Sequence, residues 1–160
     1  MKRLMVVALV SLATGSAVQA TGFNAEALKN MQQQGQQMAA QAMATKAYKL
    51  PSGKCLQTQG DPAKAGAGVA TADCNESAGQ KWRLDDKGRL VNQAGKCLGL
   101  SGANPALQEC SEAATQKWKP DDKSRLVSGG GKCLAAVDPT KAGAPVQAMD
   151  CNTTPNQVWK

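Results

Sequence analysis

The sequence predicts an all-β fold assembled from three disulfide-closed repeats, and three observations carry that reading. The stretch QKWRLDDKGRLV at residues 80–91 returns as QKWKPDDKSRLV at residues 116–127, and the chain closes on NQVWK. Alignment on tryptophan then gives three units, Gly53 to Trp82, Gly95 to Trp118 and Gly131 to Trp159. Self-similarity of this kind marks a repeat architecture whose units bury their apolar faces only together. Each unit opens on Gly-Lys-Cys-Leu, carries a second cysteine, and reaches the glutamine of Gln-x-Trp six residues after that cysteine.

Two segments precede the repeats. Lys2 and Arg3, the apolar run Leu4 to Ala13 and the small residues before Ala20 have the form of a secretory signal peptide cut after Ala20. The run is too short to span a bilayer, and no later stretch is apolar enough, so an exported protein is expected, secreted or periplasmic. Residues 21–46 belong to no repeat and are rich in Gln, Met and Ala. Asn24 can cap a helix with Glu26 in its first turn, while Leu28, Met31, Met38 and Ala42 fall on one side. That pattern predicts a helix from about Ala25 to Thr45, interrupted at Gly35. Its apolar stripe is thin, so a mobile arm is the alternative for an isolated monomer.

Within the units the signals are β. Alternation in QKWRL puts Gln80, Trp82 and Leu84 on one face and Lys81 and Arg83 on the other. DDKG supplies a turn and RLV a second strand, so Trp82 to Val91 reads as a hairpin. In the second unit Pro120 replaces Leu84, which predicts a strand ending one residue sooner. Ala65 to Gly68 and Ala142 to Pro145 read as turns. The expected shared centre is Leu56, Val69, Leu98, Leu134, Val146 and the three tryptophans.

All six cysteines fall between Cys55 and Cys151, an even number in a chain expected to be exported. Spacing alone leaves fifteen pairings open. If the units are equivalent in space, one pairing treats them alike: Cys55 with Cys74, Cys97 with Cys110, and Cys133 with Cys151. The chain has no histidine and no Cys-x-x-Cys pair, so no metal site is expected.

Three disulfide-closed units ending in Gln-x-Trp, with Gln80 and Trp82, Gln116 and Trp118, and Gln157 and Trp159, resemble the ricin B-type β-trefoil, the (QxW)3 lectin family. The resemblance covers residues 47–160 and implies that the closing strand of the last unit pairs with YKLPS, residues 48–52. It also implies a sugar pocket on each functional unit. The family pattern has an aspartate two residues after the first cysteine and a glutamine four before the second. An aromatic stands two before the second cysteine, and an asparagine just ahead of the Gln-x-Trp glutamine. The first unit holds Gln57, Ala70, Ala72 and Gly79 at these places, and the second Gly99, Ala106, Gln108 and Thr115. The third holds Ala135, Gln147, Met149 and Asn156. Only the third keeps more than the structural motif, through Gln147, Asn156 and Gln157. There Met149 is expected to replace the ring and Asp138 the missing carboxylate.

The resemblance therefore implies a non-catalytic carbohydrate-binding module with a largely degenerate site. A protein-interaction or inhibitor-like trefoil acting through loops and residues 21–46 is the alternative. No enzyme is expected: histidine is absent, the cysteines are committed to bridges, and carboxylates cluster in turns. No cofactor is implied. Removing Lys2 and Arg3 lowers the formal charge from +7 to +5, a balance that favours anionic surfaces without naming one. Lys54, Lys96 and Lys132 recur at equivalent places, as do Lys81 and Lys117. A solvated surface is the first reading, since Asp85, Asp86, Asp121 and Asp122 lie close in sequence and dilute the field. An outward lysine array for an anionic polysaccharide or envelope lipid headgroup is the alternative. Without basic runs or aromatic platforms, nucleic acid is not an expected partner.

Overall fold

The computed structural model describes residues 25–42 and 44–160; the expected signal peptide lies outside them. Helix α1 spans Ala25–Ala42 and carries exposed Leu28 and Met31. Its last residue, Ala42, falls three short of the expected Thr45, and by Lys46 the chain exchanges both backbone hydrogen bonds with Trp82.

From Lys46 onward the chain is a β-trefoil. Its strands are β1 (Lys54–Thr58), β2 (Val69–Asp73), β3 (Trp82–Leu84), β4 (Leu90–Asn92), β5 (Cys97–Ser101), β6 (Asn104–Gln108), β7 (Trp118–Pro120), β8 (Leu126–Ser128), β9 (Lys132–Ala136) and β10 (Val146–Asp150). A barrel wall runs from residues 46–49 to β3, β4, β7, β8 and the segment at Val158–Lys160. Lys49 and Lys160 then exchange backbone hydrogen bonds of 2.8 and 2.9 Å and close the ring, in the place assigned to residues 48–52.

The hairpins β1–β2, β5–β6 and β9–β10 cap one end of the barrel, each leaning on the next. Gly66 N–H donates to Leu107 O, Ala148 N–H to Ala103 O, and Thr71 N–H to Ala144 O. Tyr48, Leu50, Leu56, Leu90, Leu98, Leu107, Leu126 and Leu134 fill the centre with Trp82, Trp118 and Trp159. Burying so many large side chains supplies the main favourable term, about 1.5–3 kcal/mol for each. The disulfides are Cys55–Cys74, Cys97–Cys110 and Cys133–Cys151.

Two local expectations are corrected. Gln80 is buried as alternation requires, but it ends a 3₁₀ turn, Ala78–Gln80, and the strand begins at Trp82. Pro120 does not shorten β7, which pairs with Leu126 as Leu84 pairs with Leu90. Hydrogen bonds from Gly129 N–H to Lys117 O and from Asp121 N–H to Arg125 O lie on either side of it. Antiparallel alternation then makes the Pro120 pair a non-bonded one, so the missing N–H costs β8 nothing.

The repeated turn after each barrel strand needs one residue in the left-handed region. Gly88 takes it at φ 73°, and Ser124 takes it at φ 59°.

Candidate functional site

The Gln-x-Trp residues are struts. Each indole N–H donates to the carbonyl of the leucine after the unit's first cysteine, Leu56, Leu98 or Leu134, at 3.1, 2.7 and 2.9 Å. Each glutamine ties together the chain on either side of the second cysteine. Gln80 Oε1 accepts from Asn75 N–H and its Nε2 donates to Asp73 O. Gln116 does the same with Ser111 and Glu109, and Gln157 with Asn152 and Asp150. All three are buried. Gln157, expected to touch sugar, is fully enclosed and is first of all a strut.

The second hydrogen of that amide separates the units. In the first it goes to Gln57 Oε1 at 2.8 Å, and in the second to Gln108 Oε1 at 3.0 Å. Gln57 stands at the family's aspartate place and Gln108 at its aromatic place, so each unit supplies its own acceptor from a different strand. Gln108 reaches across Gly99, where a Cβ would lie 2.5 Å from Gln108 Oε1. In the third unit the aspartate place is Ala135 and the aromatic place Met149, and neither side chain carries an oxygen. Among the described residues, nothing but Asp150 O accepts from Gln157 Nε2.

Of the residues expected from the sequence in the third unit, Gln147 and Met149 lie on β10, Asp138 in the loop before it, and Asn156 and Gln157 in the 3₁₀ turn Pro155–Gln157. Gln147 lies directly opposite Ala135, and Met149 opposite Cys133. Gln147 and Met149 are half-buried, and the Gln147 amide has no recorded partner among the described residues. Asn156 Nδ2 donates to Ala136 O at 2.8 Å and its Oδ1 accepts from the Thr154 hydroxyl, which anchors it beside β9. Asp138 lies beyond β9 in a turn. Its Oδ1 accepts from the Thr140 hydroxyl and N–H, and these bonds hold its carboxyl below the usual carboxylate range.

The lysine array is not free. Lys54 pairs with Asp73, Lys96 with Glu109 and Lys132 with Asp150, so each unit repeats a cross-strand ion pair beside its disulfide. Lys81 lies 3.9 Å from Glu76, and Lys117 is 2.7 Å from Glu112. A carboxylate one residue before each second cysteine, Asp73, Glu109 or Asp150, was the available signal. It acquires meaning only once the register of each hairpin is known. The acceptors Gln57 and Gln108 were hidden for the same reason.

Residues 43–159 match the model of the ricin-type beta-trefoil lectin domain, and the chain belongs to that family. No curated protein matches it. Among solved structures it is similar to the β-trefoil lectin of the Vibrio vulnificus hemolysin/cytolysin, determined with N-acetyl-D-lactosamine bound. That likeness has 24% identity over 73% of this chain and 92% of the other, with a TM-score of 0.63. The C-half of an earthworm R-type lectin, in complex with GalNAc, gives 19% identity, 73% and 96% coverage and a TM-score of 0.66. Hemolytic lectin CEL-III gives 20% identity and a TM-score of 0.65 over 73% of this chain, which spans 29% of the length of CEL-III.

Proposed function

We propose that the chain is an exported, non-catalytic carbohydrate-binding module whose working sugar site is the third unit. The observation that supports this reading is the uncommitted amide hydrogen of Gln157, which the first and second units satisfy internally through Gln57 and Gln108. A donor left without its acceptor in a buried setting is costly, and a ligand oxygen that takes its hydrogen recovers that cost. Gln147, whose amide bonds to no described residue, pairs with Ala135, and Asn156 is anchored on the next residue, Ala136, while Met149 is an unbranched, adaptable side chain that can yield to a sugar ring.

With no carboxylate at residue 135, this surface presents mainly amide donors. It therefore favours a sugar carrying a strong acceptor, such as an acetamido carbonyl, over one recognised through its hydroxyl hydrogens alone. The bound N-acetyl-D-lactosamine and GalNAc of the Vibrio and earthworm lectins are ligands of that kind.

Titration of the oxidised protein with N-acetylgalactosamine, followed through its side-chain amide NMR signals, tests the proposal. The Gln147 and Asn156 amides are expected to shift. Gln147→Ala should weaken binding about fivefold, the value of one hydrogen bond. An absent response, or one indifferent to both Gln147→Ala and Asn156→Ala, rules the site out.

A further inference from the structure

The barrel wall carries a concavity outside the third unit. Where the chain passes from the first unit to the second, Thr45, Arg83, Asn92, Gln93 and Gly95 line a hollow of about 290 Å³. Among the described arginines, Arg89 and Arg125 are held by Asp85 and Asp121 at 2.7 and 2.5 Å. Arg83 forms no ion pair or hydrogen bond with any described residue, although it is half-buried. The side chains of Thr45 and Gln93 are likewise uncommitted. Asn92 supplies a stiff wall: its amide donates to Pro62 O at 2.7 Å and accepts from Lys96 N–H at 2.9 Å.

The repeat provides its own comparison. Thirty-six residues on, Lys119 replaces Arg83, Ser128 replaces Asn92 and Gly129 replaces Gln93. These three line the corresponding hollow at the next joint, of about 670 Å³. That one also takes in Asp85, Asp86 and Asp121, whereas among the described residues no carboxylate lines the hollow at Arg83. One scaffold position has thus become acid-rimmed in one copy and purely cationic in the other.

We propose that the Arg83 hollow binds the carboxylate of an acidic saccharide. The planar guanidinium fork matches a carboxylate in a bidentate arrangement, which a lysine at the same place does not reproduce. The Thr45 hydroxyl and the Gln93 amide stand beside it to take the hydroxyls of the ring that bears the acid. The volume is at the low end of small-ligand sites and suits one sugar ring. This site shares no residue with the third-unit hairpin.

Titration of the full-length oxidised chain with glucuronate, glucose and inorganic sulfate, read from the Arg83 Nε–H and the Gln93 and Thr45 amide signals, tests it. Glucuronate is expected to shift those signals, weakly and less so at high salt, while glucose does not. Arg83→Gln should weaken binding at least about tenfold, as expected for loss of a charged hydrogen bond. Arg83→Lys should restore only part of it, and Lys119→Ala should leave it unchanged. The proposal is overturned if glucose binds as well as glucuronate, if sulfate binds and glucuronate does not, or if Arg83→Gln has no effect. Shifts confined to Gln147 and Asn156 would also overturn it, while supporting the third-unit site.

Discussion

Thr58 is fully inside the first hairpin, and its hydroxyl is the one buried side-chain polar atom among the described residues without a partner. Leu100 and Ala136 occupy the same place, three residues after the first cysteine, in the other units. A hydroxyl in an apolar centre without a hydrogen bond loses hydration and receives nothing in return. Thr58→Val keeps the shape and removes that cost, so it should raise stability by about 1–2 kcal/mol. Urea unfolding of the two proteins measures it; an unchanged or lower midpoint would mean that the hydroxyl has a partner. Residue identity alone could not reveal this, since threonine suits a strand well and its burial depends on how the hairpin pairs Thr58 with Val69 and packs it beside Gly79.

At the scale of elements, the repeated DDKG and DDKS turns are held from within. Asp85 Oδ1 accepts the N–H groups of Lys87 and Arg89, and Asp121 repeats this with Lys123 and Arg125. The first turn has an added tie to the loop after Cys110, where Glu112 bonds Lys117 and Lys87 and lies 3.6 Å from Arg89. The hydrogen bonds from Lys117 and then Lys87 lower the Glu112 carboxyl from 4.5 to about 2. A depressed carboxyl stabilises the fold above its unfolded value, and that contribution fades as the pH falls from about 4.5 to about 2. Stability should therefore decline less steeply across that window in Glu112→Gln than in the parent protein. Chemical unfolding at stepped pH gives the comparison, and equal slopes would remove Glu112 from the account. These turns were legible as turns from their Asp, Gly and Ser residues. The ion pairs around them were not, because Glu112 lies far from Lys87 in sequence and the carboxylates read as solvated.

For the whole molecule, the repeat made most of the trefoil legible, through the three units, the bridged pairs and the inward tryptophans, and the family resemblance added the closure between the chain before β1 and its last residues. The local departures came where pairing between strands overrules local propensity, at Gln80 and Pro120. The candidate sugar site was legible only as a pattern of substitutions. What sets the third unit apart is an acceptor that two different strands supply in the other units, and a linear alignment does not display that. Each bridge closes a loop within one unit, with sequence separations of 19, 13 and 18 residues. Replacing any one pair of bridged cysteines by alanine should cost roughly 3 kcal/mol in the chain-entropy account. Equilibrium unfolding of the three double variants tests this, and a loss confined to one unit would contradict the equivalence of the repeats.

The exchange of hydrogen bonds between Lys49 and Lys160 makes the barrel a ring with no privileged starting point. The two ends of the trefoil are neighbours on adjacent strands, so the order in which the units are strung together is a property of the chain rather than of the barrel. A short link across that seam and a new opening in the exposed turn at Asp86 and Lys87 would give a different linear order of the same contacts. Sequence position and spatial position are thereby uncoupled, and the three units are free to diverge in surface chemistry while sharing one interior.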